Sequence, residues 1–143
     1  MTNEMTQPSP ETEIDVDGVI FTFADIYNVV NRFYTQVSND PVLQVPFSSV
    51  EDWPHHIDRL THFWWMRLGG RAYMEARYNP VARHFVAGFN ALFLKRWLGL
   101  FHETQRELLR PEQAELWGDL ASRMGQALAG KNEYLKQEYL SRS

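Results

Sequence analysis

Histidine and tryptophan are the residues of this chain whose side chains and spacing most suggest chemistry. Three of the five histidines and three of the five tryptophans lie between residues 52 and 65. An imidazole can bind a metal, and an indole N–H can donate a hydrogen bond. His55 and His62 would nevertheless lie about 10 Å apart along a helix, too far to share a zinc ion bound at about 2 Å. No His-x-x-x-His or Glu-x-x-His pair occurs, so a metal site built from side chains alone has weak support.

The composition excludes several other kinds of chemistry. The absence of cysteine rules out disulfides, thiolate metal sites, iron–sulfur clusters and thioether-linked haem. The acidic residues are scattered and form no Ser-His-Asp or paired-carboxylate pattern, so hydrolysis has weak support. A net charge of −4 and a pI near 5.7 argue against a nucleic-acid partner, which would require a basic surface.

The length and hydropathy of the chain predict one soluble domain. A chain of 143 residues is long enough to bury a substantial core. The polar N-terminus does not resemble a secretory signal, and the longest apolar-leaning run, residues 85–94, is too short to span a bilayer. We therefore expect a cytoplasmic protein with no membrane partner.

The stretch rich in histidine and tryptophan has the pattern of an amphipathic helix from Asp52 to Leu68. Asp52 can cap the helix, and Pro54 suits its first turn because a proline lacks the N–H that would be unpaired there. One broad face of this helix would be large, aromatic and apolar, with one imidazole near its start. Such a face can pack in a core, which is the more frequent outcome, or against a flat aromatic ligand. Its members are Trp53, His56, Ile57, Leu60, Phe63, Trp64 and Leu68.

The remaining elements are also predicted to be helical. Apolar residues recur at spacings of three and four in a helix starting near Thr22 or Asp25, in residues 90–109, and in a helix opened by Pro111 and ended by Gly130. A short helix opened by Asn79 and Pro80 would carry His84, after a loop at residues 71–78. No segment shows the pattern of a strand, so the predicted fold class is all-α. The expected organisation is a flexible tail at residues 1–20, a domain at residues 21–130, and a helical or frayed tail at residues 131–143.

An ordered set of motifs over about residues 25–128 resembles the truncated globins, and most of all their group III branch. The set as a whole is far more specific than any single motif. It comprises Phe33-Tyr34, Asp40-Pro41-Val42-Leu43 followed by Phe47, Trp53 with His56 and then Phe63-Trp64, Pro80-x-x-x-His84, and Trp97-Leu98-x-Leu100-Phe101.

This resemblance implies a two-on-two helical sandwich around haem b. His84 matches the proximal histidine that binds the iron. Tyr34 and Trp97 match polar residues of the opposite, ligand-binding face, where a phenol O–H and an indole N–H can donate hydrogen bonds. His56 matches a distal-helix histidine that acts as a gate or a further donor. We favour His56 over His55 for this role because its spacing to Leu60 and Trp64 keeps it on the apolar face.

The resemblance also implies a set of residues around the haem. Arg59 or Arg83 would pair with a haem propionate. His55, His62 and His102 are interpreted as surface or packing residues. The residues expected to pack on the porphyrin are Phe47, Leu60, Phe63, Trp64, Leu94, Leu98 and Phe101.

The function implied is reversible binding of O₂ and of other small ligands such as NO, CO and cyanide. A polar pocket favours redox chemistry with oxygen, NO or peroxide over bulk oxygen storage. One alternative is an enzyme, an NO dioxygenase or a peroxidase-like protein served by a reductase. Another is a haem-free helical interaction or sensor domain, in which every aromatic stripe is only core.

Overall fold

The computed structural model describes residues 6–44, 47, 50–75 and 91–141. Within these ranges a short hairpin precedes four helices. We label the elements β1 (Glu13–Val16), β2 (Val19–Thr22), α1 (Phe23–Asn39), α2 (Trp53–Arg67), α3 (Ala91–Leu108) and α4 (Pro111–Ser141). The short helix predicted around His84 lies outside the described residues.

Helix α1 begins at a capping box. Thr22 accepts a hydrogen bond from the backbone N–H of Asp25, and the Asp25 carboxylate accepts one from the backbone N–H of Thr22. The helix ends at Asp40, whose extended backbone precedes Pro41, as expected of a residue before proline. The start predicted near Thr22 or Asp25 is confirmed. The buried side chains of α1 are Phe23, Ile26, Val29, Val30, Phe33, Tyr34 and Val37.

Helix α2 also starts and stops at the predicted residues. Asp52 caps it by accepting a hydrogen bond from the backbone N–H of His55 at 3.2 Å. The chain leaves the helix through Gly69, whose φ of +108° suits glycine. A Cβ on Gly70 would lie 2.3 Å from the ring of Trp65, so glycine at this position also allows the loop to approach that ring closely.

Helix α3 matches its predicted range, but α4 is longer than expected. The prediction that Gly130 ends α4 was wrong, because the helix continues to Ser141. A glycine inside a helix costs only about 1 kcal/mol relative to alanine, which hydrogen bonds on both sides can outweigh. Residues 131–141 therefore take the helical form of the two alternatives proposed for the C-terminal tail.

The hairpin was not predicted, and the expectation that no segment forms a strand was wrong. β1 and β2 pair antiparallel, with Val16 opposite Val19, around a turn at Asp17 and Gly18. Both turn residues have positive φ, 51° and 87°, and an Asp-Gly pair between alternating apolar residues favours this type of turn. Residues 13–20 thus belong to the hairpin, within the segment predicted to be a tail.

The hairpin packs on the start of α4. Phe21 is fully buried and makes an edge contact with Trp117 at 6.1 Å between ring centroids. The Gln113 side-chain amide donates to the carbonyl of Ile20 at 2.8 Å and to the Asp25 carboxylate at 3.1 Å. These contacts attach the first element of the chain to the last helix.

The four helices of the described chain enclose one core, which confirms the all-α prediction for the main body of the domain. Helix α1 packs against α2 and α3, and α3 packs against α4. The largest fully enclosed rings that the helices contribute form what we call the core cluster: Phe33, Trp64, Phe101 and Trp117. Among the described residues, no helix is both long enough and apolar enough to cross a membrane.

Candidate functional site

Four aromatic side chains meet where the end of α1 and the start of α2 approach the segment between them. We call that segment, residues 40–52, the connector. We call the four side chains the aromatic box: Tyr34, Phe47, Trp53 and His56. The ring of Tyr34 lies 6.2 Å from Phe47, 6.3 Å from Trp53 and 6.1 Å from His56, measured between centroids. Trp53 and His56 lie 5.5 Å apart. The fold therefore brings together three of the predicted site residues, Tyr34, Phe47 and His56.

The aromatic box is only partly covered by protein. Phe47, Trp53 and His56 are half-buried, whereas the Tyr34 side chain is 4% exposed. The box therefore presents apolar rings together with a phenol hydroxyl and an imidazole. This combination of apolar walls with a few polar groups is typical of small-ligand sites.

Trp97 is a buried donor in contact with Phe33, the neighbour of Tyr34 in the aromatic box. Its ring lies 5.2 Å from Phe33, and Phe33 lies 4.7 Å from Tyr34, so one phenyl ring contacts both predicted donors. Trp97 Nε1 is buried and has no hydrogen-bond acceptor among the described residues. A buried N–H without an acceptor costs roughly 1–3 kcal/mol, so a ligand that accepts a hydrogen bond there would recover that cost.

The structure distinguishes the two adjacent histidines of α2. His56 makes edge contacts with both Tyr34 and Trp53. His55 is exposed, and its backbone N–H is used by the Asp52 cap. Of the two imidazoles, that of His56 therefore belongs to the aromatic box, as its spacing along the apolar face of α2 indicated.

The residues predicted to pack on a porphyrin separate into two groups. Trp64 and Phe101 are each 1% exposed and contact each other at 5.8 Å within the core cluster. This enclosure favours the packing interpretation for these two, and their contact with a cofactor stays a prediction. Of the others, Phe47 belongs to the aromatic box, Leu60 and Leu94 are buried, and Phe63 and Leu98 are half-buried. Arg59, which was predicted to pair with a haem propionate, is also half-buried. His84 and Arg83 lie outside the described residues.

Sequence reasoning placed Trp53 on the same face of α2 as His56 but gave it no role at the site, and it missed one further contributor to this region. Asp40 and Arg96 form an ion pair between the end of α1 and the second turn of α3. That pair joins residues 56 positions apart, so no local pattern could have indicated it.

His62 holds the loop that follows α2. This histidine is 3% exposed, and its Nε2 accepts a hydrogen bond from the backbone N–H of Tyr73 at 3.2 Å. Burial lowers the pKa of His62 from its usual 6.5, which keeps the acceptor nitrogen free of a proton. Burial also raises the pKa of the Tyr73 phenol, with a further contribution from the charge of Asp58. The interpretation of His62 as a packing residue agrees with this arrangement.

The described residues contain no group of three or more His, Asp or Glu side chains able to hold a metal ion. The aromatic box and the buried Trp97 N–H suit the ligand-binding side of a flat aromatic cofactor.

Comparisons with known proteins agree with this geometry. The family model of the bacterial-like globins matches residues 20–128. The fold is similar to the crystal structure of group III truncated hemoglobin from Campylobacter jejuni, with a TM-score of 0.70 and 20% sequence identity. That similarity covers 82% of this chain and 94% of the other chain. No curated protein sequence matches the chain.

The family match spans well over half of the chain and includes every residue of the aromatic box. Globins as a family bind haem and, through it, small ligands such as O₂. The chain therefore belongs to the bacterial-like globin family, and its fold is that of a truncated globin.

Proposed function

We propose that this protein is a haem b globin of the group III type that reversibly binds O₂, NO, CO and cyanide in a polar pocket. One observation carries the proposal: the buried Trp97 N–H has no acceptor among the described residues, and the Trp97 ring contacts Phe33, which in turn contacts Tyr34 of the aromatic box. A buried donor of this kind is stabilising only when a ligand or water accepts its hydrogen bond. The phenol of Tyr34 and the imidazole of His56 add polar groups on the same side.

The haem would supply the iron to which the small ligand binds, with His84 as the proximal ligand of that iron. Tyr34 and Trp97 would donate hydrogen bonds to the ligand, and such bonds strengthen as charge accumulates on the acceptor. His56 would stand at the margin of the pocket as a gate or a further donor. The half-buried rings of Phe47 and Trp53 would exclude bulk water, which makes each of these polar contacts stronger.

Further residues would fix the cofactor in place. Arg59 or Arg83 would pair with a propionate. Leu60, Phe63, Leu94 and Leu98 would supply apolar contact area to the porphyrin.

The direct test is hemin titration of the purified wild type and of His84→Ala, followed by absorption spectroscopy. We expect one haem per chain in the wild type, with the Soret band of histidine-ligated iron, and loss or displacement of that band in the variant. His55→Ala is the matched control, because His55 is exposed and outside the aromatic box. Absence of stoichiometric uptake by folded wild-type protein would overturn the proposal in favour of a haem-free helical domain.

A second candidate is an enzyme, either an NO dioxygenase or a peroxidase-like protein. The favouring observation is that three residues with hydrogen-bonding groups, Tyr34, His56 and Trp97, are connected by ring contacts, Tyr34 to His56 directly and Tyr34 to Trp97 through Phe33. In NO dioxygenation, NO and O₂ combine with one electron from a reductase to form nitrate. The test is NO consumption by reductant-supplied wild type, Tyr34→Phe and Trp97→Phe. Equal turnover in all three would exclude a role for these donors in catalysis.

A further inference from the structure

The carboxylate of Asp40, at the end of α1, accepts hydrogen bonds from the first residues of the connector. Its Oδ1 accepts hydrogen bonds from the backbone N–H groups of Val42 and Leu43, each at 3.0 Å. The carbonyl of Leu43 then accepts a hydrogen bond from the backbone N–H of Phe47 at 3.2 Å. The turn that presents Phe47 to the aromatic box is therefore organised from Asp40.

The other carboxylate oxygen of Asp40 accepts hydrogen bonds from Arg96 of α3. Arg96 Nε donates to Asp40 Oδ2 at 2.9 Å, and one terminal guanidinium nitrogen donates to the same oxygen. The Asp40 side chain is 4% exposed, whereas that of Arg96 is 51% exposed. The guanidinium of Arg96 holds the pKa of Asp40 below its usual value, and the two backbone N–H groups contribute further. Asp40 therefore stays charged at neutral pH.

Arg96 is the neighbour of Trp97 in the chain. The ion pair thus fixes α3 one residue before the buried donor of the proposed pocket. Asp40 consequently connects two sides of the proposed pocket. One side carries Phe47 and is reached through the turn that Asp40 organises, and the other carries Trp97 and is reached through Arg96. Removing the guanidinium would leave a buried carboxylate without its cation, which favours a shift of α3 relative to the connector.

Two other polar contacts join α1 to α3 and serve as an internal comparison. Thr104 Oγ1 donates to Gln36 Oε1 at 3.0 Å, away from the aromatic box. Arg32 pairs with Glu107 at 3.0 Å, with both side chains about half exposed. Exposed ion pairs of this kind contribute little, so Arg32 is a matched control arginine on the same helix pair.

We propose that the Asp40–Arg96 ion pair is a positioning element that sets the place of the Trp97 indole N–H relative to the aromatic box, and thereby controls how fast a bound ligand escapes. The inference about ligand escape rests on the proposed haem function, whereas the inference about indole position does not. Neither Asp40 nor Arg96 need touch the ligand. Coupling through such a contact typically changes ligand kinetics by about 2- to 30-fold.

The first experiment measures the indole position without haem. The ¹⁵N–¹H signal of the Trp97 side chain is compared in wild type, Arg96→Gln, Arg96→Lys and Arg32→Gln. We expect Arg96→Gln to shift this signal, Arg96→Lys to shift it less because the charge remains, and Arg32→Gln to leave it unchanged. An unchanged Trp97 signal in folded Arg96→Gln would overturn the proposal whatever the protein binds.

The second experiment measures the consequence for ligand binding. O₂ release rates and the Fe–CO stretching frequency are recorded for the same four hemin-loaded proteins. Arg96→Gln should release O₂ faster than Arg32→Gln, by about 2- to 30-fold, with Arg96→Lys in between. Equal rates and equal CO spectra in Arg96→Gln and Arg32→Gln would overturn the link to ligand escape. Failure of the wild type to bind hemin would instead refute the proposed function and leave the indole result standing.

Discussion

The aromatic box and the core cluster are built from similar residues but have different surroundings. In the core cluster Trp64, Phe101 and Trp117 are at most 1% exposed, and their rings contact one another at 5.4 to 5.8 Å. In the box the rings are 5.5 to 6.3 Å apart and three of the four side chains are half-buried. Rings enclosed by other rings stabilise the fold, whereas half-covered rings beside polar groups can hold a ligand.

Helix α2 shows why periodicity cannot separate the two clusters. It contributes Trp53 to the box and Trp64 to the core. Trp53 and Trp64 are eleven positions apart, which corresponds to a rotation of about 1100° around the helix axis. This is only about 20° beyond three full turns, so both indoles project from nearly the same side of the helix. Their environments differ because they lie about 16 Å apart along the axis. Position along the helix, rather than the face, decides between core and pocket.

The largest effect should be on stability, from a matched pair of tryptophan truncations. Trp117→Ala should lower the free energy of unfolding by about 3–5 kcal/mol, because it empties a fully enclosed site. Trp53→Ala should cost less than about 2 kcal/mol, since that ring is half-buried. Chemical denaturation monitored by circular dichroism measures both. Similar losses would remove the distinction between core cluster and box.

The next largest effect should be on ligand release. Tyr34→Phe and Trp97→Phe each remove one donor while keeping an aromatic ring. Each should accelerate O₂ release by about 10- to 150-fold, the equivalent of a hydrogen bond to a charged acceptor worth about 1.5–3 kcal/mol. Stopped-flow O₂ displacement by CO gives the rates. A donor whose removal leaves the rate unchanged does not contact the ligand.

A smaller effect should separate the two adjacent histidines. His56→Leu should alter CO association and O₂ release several-fold, because His56 contacts Tyr34 and Trp53 within the box. His55→Leu should leave both rates unchanged, since that side chain is exposed. Flash photolysis of the CO complexes measures the association rates. The reverse ranking would place His55 at the pocket and contradict the geometry of the box.

The smallest effect should be a dependence of stability on pH, arising from the loop contact beyond the box. Because burial lowers the pKa of His62 below 6.5, the unfolded chain binds a proton at a higher pH than the folded chain does. The contribution of His62 to the free energy of unfolding should be fully present above pH 6.5. It should decline as the pH falls below 6.5, by at most about 1.4 kcal/mol per pH unit. His102, whose pKa burial also lowers, adds a decline of the same sign. Thermal melts of wild type and His62→Gln across this range should show a flatter profile in the variant.

The sequence by itself determined the features that depend on near neighbours. The capping box of Thr22 with Asp25, the Asp52 cap and Gly69 locate helix ends because their hydrogen bonds and backbone preferences span only a few residues. The Asp17-Gly18 turn also depends only on neighbouring residues, so the sequence was sufficient to predict it, although the turn was not recognised. The ordered set of motifs from Phe33-Tyr34 to Trp97-Leu98-x-Leu100-Phe101 was sufficient to predict the family, which the match over residues 20–128 confirmed.

Only the tertiary structure decided which aromatic residues remain half-covered and which polar groups meet across the chain. Gln113 reaches Ile20 across 93 positions, and Arg96 reaches Asp40 across 56. Such contacts depend on how helices cross, and many crossings satisfy the same apolar stripes equally well. The walls of the pocket, unlike the helices that carry them, are therefore a property of the assembled fold.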